Sequence, residues 1–500
     1  MIKENEIISK VLLTIAQYKG NVSSFKNAIC EGEYTPDHTK NFTRSLIWKT
    51  CLITETLKIK EWDSKLSDSR VIYHKLTKNE EMIVPWWDLD TDNTYYQTKE
   101  LVRKSSVSRK LSLRRKAPMK KQSLVRVNGV ADPLSSQTSL VSASLSPSSS
   151  KSATPVPSSL RSDPEQDLEL LQSIIMDIDR IFPGDEFFHS NNPQSLPVKR
   201  ELIQILYVWS KCNPQVGYKQ GIHEILGLIY INLYNESIHI PSTNTISTDD
   251  LKILSLYDIR YLSHDMFTIF NKFMIQTGIA SRFYENESVL WKSIEEFNIN
   301  LMKVDQLIHY NLITKLKLES QLWIIRYLRL LLLRELGNDH SLTILLWDKL
   351  ISSIPDLIIF IIIILLIQIK TDLITCDFSE SLSLLLHYPI SEKQFCASHI
   401  NNMFKYAVKL YEKRDQDLKL YELGLKLNSK YNPNLKIQMS YNGTSQSRKS
   451  GESIGFSSPS PSLSPAPSAP NPDPRAEKMA FEKYRLEMRL KKKAQSLMRP

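Results

Sequence analysis

The chain has 500 residues, of which 42% are hydrophobic, with 13 Gly and 24 Pro. That is more than one average domain by length, and its composition excludes collagen-like or Gly-rich material. The net charge of +10 is concentrated: residues 101–126 carry ten Lys/Arg and no acid, and residues 475–500 carry nine Lys/Arg against three Glu, so the remainder is acidic.

Glu4 and Glu6 precede any apolar stretch, which speaks against a signal peptide. Residues 1–100 read as the first helical part of a domain. Residues 101–163 read as a disordered insert, basic and rich in Ser and Pro, because they cannot bury enough area to offset the entropy of ordering. Its basic clusters suit an anionic membrane or a coat protein, and it holds no aromatic that could stack bases, so nucleic acid is not expected. No Gly-x-x-x-x-Gly-Lys-Ser/Thr and no Gly-x-Gly-x-x-Gly occurs, so the chain should carry no phosphate-binding loop.

A helix is expected from Asp163-Pro164-Glu165 to Pro183-Gly184, with Pro at the first helical position and acids in the first turn. Leu168, Leu171, Ile174, Ile175, Ile178, Ile181 and Phe182 share its apolar arc, and Asp177 and Arg180, three apart, are expected to point away from it as a neighbouring ion pair. A second helix, Lys199 to Lys211, should break at Asn213-Pro214. Gly217 and Gly221 then flank Tyr218 and Gln220 in a turn that bends sharply before an apolar helix from Ile222 to Tyr234. His223-Glu224 begins a zinc-protease pattern, but Gly227 stands where the second histidine would be, so no metal site is expected.

Leu357 to Ile367 is an 11-residue apolar run, too short for a spanning helix and read as buried core. The cysteines Cys30, Cys51, Cys212, Cys376 and Cys396 are scattered with no Cys-x-x-Cys, which fits a reducing cytosolic compartment. Residues 436–475 read as a disordered linker; the Gly451-Glu452-Ser453-Ile454-Gly455 pattern in it lacks the strand and helix that a nucleophile elbow needs. Residues 476–500 read as a basic helix. Throughout 164–435 apolar residues recur at spacings of three and four with no sustained alternation, so the fold class should be all-α.

Ile174-Ile175-Met176-Asp177-Ile178-Asp179-Arg180 and Tyr218-Lys219-Gln220 resemble the two catalytic signatures of the TBC-domain family of Rab GTPase-activating proteins. The same order continues in Arg44-Ser45-Leu46-Ile47-Trp48, in Tyr261-Leu262-Ser263-His264-Asp265, and in Arg326-Tyr327-Leu328-Arg329-Leu330 through Arg334-Glu335 to Trp347-Asp348. Lys219 departs from the family's usual Cys; with Gly221, His223 and Glu224, and with Leu386-His387-Tyr388-Pro389, it is similar to an endosome- and Golgi-associated subgroup of fungal character. The resemblance implies a TBC domain of two helical subdomains, its first part on 1–100 and its catalytic remainder on 164–435. It implies Arg180 as an arginine finger, Gln220 as a glutamine finger, and Asp177, Tyr218, Asn213, Gly217 and Gly221 as their supports; Arg44 and Trp48 are structural or touch the GTPase. It further implies a Rab partner that brings its own Mg²⁺ and GTP, no cofactor of the chain itself, and peripheral association with endosome or Golgi membranes from the cytoplasm. The alternative is a scaffold of the same fold that binds a Rab or a coat without accelerating hydrolysis.

Overall fold

A computed structural model describes residues 2–34, 42–85, 164–189, 191–240, 246–337, 340–354, 356–389 and 396–435. The expected insert, linker and C-terminal basic helix lie outside these residues. Among the described residues the regular structure is helical, with one isolated bridge between Ile238 and Asp258. They divide into two compact units that are interleaved along the chain.

The first unit comprises the described residues within 1–293, 325–358 and 396–405. It holds the helices Ile2–Tyr18, Val22–Glu31, Arg44–Lys49, Ile59–Lys78, Pro164–Asp179, Ser195–Cys212, Ile222–Glu236 and Leu262–Asn271, and later His340–Ser352. The segment before residue 86 therefore packs in the same unit as the helix that bears Asp177. Two fully buried carboxylates join the early helices to the later ones. Asp348 accepts from Trp48 Nε1 at 2.7 Å and from Arg44 Nε at 2.9 Å. Asp265 accepts from Lys49 Nζ at 2.8 Å and from Arg70 Nε and Nη2 at 2.8 and 2.9 Å. Burial alone would raise the Asp265 carboxyl, but Lys49 and Arg70 outweigh it and hold the group below its ordinary range. Glu236, at the end of its helix, accepts from the backbone N–H groups of Arg44 and Ser45 at 2.8 and 2.6 Å, and so satisfies the otherwise orphaned start of the Arg44–Lys49 helix.

The second unit comprises the described residues within 294–324, 359–389 and 406–435. Its centre is again polar: Lys370 Nζ bonds Asp305 Oδ2 at 2.6 Å and Asn428 Oδ1 at 2.8 Å, while Asn428 Nδ2 donates to Asp305 Oδ2 at 2.8 Å. The Asn428 helix approaches so closely that a Cβ on Gly424 would run into the Val304 carbonyl. Tyr388, in the Leu-His-Tyr-Pro stretch, is buried and donates to Leu365 O at 2.9 Å.

The run Leu357–Ile367 is helical and fully buried, as its length suggests. Among the described residues no helix is long and apolar enough to cross a membrane. The five cysteines are free thiols.

Removing one partner of a buried charge network strands the others in a low-dielectric interior. Asp265→Ala should therefore cost about 3–5 kcal/mol, measured by urea denaturation. In the wild-type chain the Asp265 contribution is present above the unfolded-state carboxyl pKa and is lost as pH falls through the depressed folded value. Acid denaturation in the native chain that is no steeper than in Asp265→Asn would contradict this.

Candidate functional site

The helix Pro164–Asp179 buries Leu171, Ile174, Ile175 and Ile178, the apolar arc read from the sequence. Its end differs from that reading. Regular helix stops at Asp179; Arg180 and Ile181 close on the carbonyls of Asp177 and Ile178, and Phe182 adopts a positive φ of 38°. Asp177 is also not an exposed partner of Arg180. It is buried at 5% exposure, because Tyr218 and His223 cover it, whereas the Arg180 side chain is 58% exposed.

The carboxylate of Asp177 connects the two signature segments. Oδ1 accepts from Arg180 Nη2 at 2.5 Å, and Oδ2 accepts from the Tyr218 hydroxyl at 2.8 Å. The same hydroxyl lies 3.1 Å from His223 Nδ1, which is itself 3.5 Å from Asp177 Oδ2. Burial next to this carboxylate pushes the Tyr218 hydroxyl well above the ordinary tyrosine range. His223 is pushed below its ordinary value by burial, against the pull of Asp177 and Glu224.

The turn carrying Gln220 is fixed from both sides. Asn213 ends the Ser195–Cys212 helix, its Nδ2 donating to Trp209 O at 2.9 Å and its carbonyl accepting from Val216 and Gly217 at 3.0 and 2.9 Å. Gly217 and Gly221 have φ of +60° and +100°, left-handed values that a side chain disfavours, and a Cβ on Gly221 would sit 2.8 Å from Leu330 Cδ2. Gln220 is exposed, and its side chain makes no hydrogen bond among the described residues. Thus Asp177, Arg180 and Tyr218 are in direct contact, while Asn213, Gly217 and Gly221 shape the turn that presents Gln220. Arg44 and Trp48 are buried in the Asp348 network and serve the fold.

Sequence reading missed three contributors. Gly227 lets its helix close on the segment that follows Arg180, since a Cβ there would overlap Ile181 Cδ1. Glu224 is gripped by Arg334, whose Nε lies 3.1 Å from Oε2 and whose Nη2 meets Oε1. Arg334 follows two buried leucines, Leu331 and Leu332, with φ of 49° and 63°. The stretches holding Glu224 and Arg334 were both visible in the sequence, but no local spacing links them.

Residues 138–374 match the family model described as the Rab-GTPase-TBC domain. Among relatives, TBC1 domain family member 5 of mouse is 25% identical over 252 residues, 45% of this chain and 30% of the relative. The homolog B of that protein in Dictyostelium discoideum is 36% identical over 110 residues, covering 22% of this chain and 10% of the relative. The chain thus spans less than a third of the length of these relatives. A solved structure of the Ypt/Rab-GAP domain of Gyp1p aligns over 50% of this chain and 75% of that one, at 20% identity and a TM-score of 0.41. Both signatures stand in order within the residues that match the Rab-GTPase-TBC domain, so this part of the chain is similar to that family.

Gly221→Ala should cost about 1–2 kcal/mol in urea denaturation, from the left-handed backbone and the crowding of Leu330. Gly217→Ala, where a Cβ would meet only the Pro214 carbonyl oxygen at an ordinary 4.0 Å, should carry the backbone cost alone. Equal losses at the two positions would count against the Leu330 contact.

Proposed function

We propose that the chain accelerates GTP hydrolysis by a Rab-family GTPase, with Arg180 as an arginine finger and Gln220 as a glutamine finger. The observation that carries this reading is the shared carboxylate of Asp177, which aims an exposed guanidinium while tying it to the turn that exposes a glutamine. Hydrolysis needs charge stabilisation on the transferring phosphoryl group and an oriented attacking water. The guanidinium fork of Arg180 meets the first need. The amide of Gln220, which no internal hydrogen bond occupies among the described residues, meets the second. Mg²⁺ and GTP stay with the GTPase; this chain contributes side chains and no cofactor.

Asp177 matters here for direction rather than for chemistry. An arginine on an open helix end samples many rotamers, and an ion pair at the surface holds it weakly. A carboxylate that is itself buried and already held by a tyrosine has a fixed position, so the guanidinium it pairs with loses less freedom on entering the nucleotide site. The resemblance of Lys219, His223 and Glu224 to the endosome- and Golgi-associated subgroup favours a GTPase of that traffic, with the chain acting from the cytoplasm as a peripheral protein. The basic segments 101–126 and 475–500 suit an anionic membrane or a coat as the means of recruitment.

Single-turnover hydrolysis on a panel of purified Rabs tests the proposal. An arginine finger is worth ~10³–10⁵ in rate, about 4–7 kcal/mol. Arg180→Ala should lose most of that acceleration, and Arg180→Lys, which keeps a cation beside the buried Asp177 and so should change the melting temperature little, should fail nearly as badly because an ammonium has no planar fork. Gln220→Ala should also lose acceleration while leaving Rab binding in place. Stable binding of a Rab with no acceleration by the native chain would establish the scaffold alternative.

A further inference from the structure

Arg334 takes no part in the two signatures, yet the bonds around it run to the arginine finger. It clamps Glu224 through two nitrogens. Glu224 Oε1 lies 3.9 Å from His223 Nε2, and His223 Nδ1 lies 3.1 Å from the Tyr218 hydroxyl, which donates to Asp177 Oδ2. We propose that Arg334 is a positioning residue for the arginine finger, acting through Glu224, His223 and Tyr218 on Asp177. The inference rests on the GTPase-activating reading above and adds to it a residue that sets where Arg180 points.

Proton counting fixes the direction of every bond in the series. Asp177 faces the Arg180 guanidinium as a carboxylate and can only accept, so the single hydroxyl proton of Tyr218 goes to Asp177. The contact between Tyr218 and His223 must then be donated by Nδ1–H of the imidazole. In the neutral ring this leaves Nε2 as a lone pair facing a carboxylate oxygen of Glu224. That arrangement holds only if the charge of Glu224 is drawn elsewhere, and Arg334 does this. The groups that face His223 are Asp177 and Arg180 from the finger segment, Tyr218 and Glu224 from the glutamine segment, and Arg334.

Without Arg334, Glu224 would turn its full charge on Nε2 and favour a proton there. The imidazolium so formed would stand 3.5 Å from Asp177 Oδ2 and compete with Arg180 for the carboxylate. The finger would lose its anchor while the fold kept its core, because the Arg334 side chain is 54% exposed. The position of Arg334 is itself held firmly. The next residue, Glu335, is fully buried and bound by Arg326 at 2.8 Å, and Leu330 on the same turn packs against Gly221.

The test is single-turnover hydrolysis, on the Rab that responds to the native chain, between about pH 6 and about pH 8.5. Arg334→Gln should fall about tenfold below the native chain at the acid end and stay within about threefold at the alkaline end, with kcat rather than KM carrying the loss. Arg334→Lys, which keeps the charge, should flatten the profile again. The double variant E224Q/R334Q should recover most of the acid-side activity, because a neutral amide no longer favours a proton on His223. A loss that is independent of pH and not recovered by Glu224→Gln would mean that Arg334 touches the GTPase directly, and would overturn the proposal. So would a native-like profile for Arg334→Gln. In parallel, the His223 imidazole resonance, assigned with His223→Asn, should titrate at higher pH in Arg334→Gln than in the native chain and return in the double variant; an unmoved titration also overturns it. That readout needs no GTPase. A native chain that activates no Rab, but shows the expected titrations, would therefore refute the GTPase-activating reading and leave this series of bonds standing.

Discussion

The arrangement of the site depends on one buried carboxylate. Asp177 has two oxygens and spends each on a different chain segment: one on the arginine three residues ahead of it, the other on a tyrosine 41 positions away. A charge that is nearly out of water is tolerated only when it is fully partnered, so the energetic demand of Asp177 fixes the geometry of both signatures together. Surrounding features serve that demand. Gly227 allows the approach of two helices, Asn213 ends the preceding helix at the right point, and the left-handed glycines turn the chain back over Asp177.

The same principle recurs away from the site. Asp265, Asp348 and Asp305 are each buried and each held by cationic or neutral donors from segments far apart in sequence. In a helical fold with few backbone bonds between elements, side chains must specify which helix lies beside which. Apolar packing is permissive in this respect, whereas a buried carboxylate accepts only a small set of partners.

The all-α class was legible because periodicity of three and four is local, and so was the buried arc of the Asp177 helix from Leu171 to Ile178, though not its end. Local pattern also located the Asn213 break and the two bending glycines. What could not be read was the environment of Asp177: its place on the polar side of a helical wheel predicts exposure, and the cover comes from Tyr218 and His223 on another segment. The roles of Arg44 and Trp48 were open for the same reason, since Asp348 lies about 300 positions away. The pairing of Glu224 with Arg334 spans 110 positions and follows an unusual turn with two left-handed leucines, a conformation that no propensity scale suggests for leucine.

Helices before residue 86 complete the charge networks of helices after residue 164, so neither stretch has a self-sufficient interior. A fragment cut at the edge of the match, residue 138, would expose Asp265 and Asp348 to a half-empty core, so the edge of the match is not a folding boundary here. The bonds of the site described above all lie within 177–334, outside that connection. The entropy of closing a flexible loop grows only with the logarithm of its length, about 0.6 kcal/mol for each doubling. By that measure a change in the number of residues between the two stretches costs little, and Asp177 with its partners stays where it is.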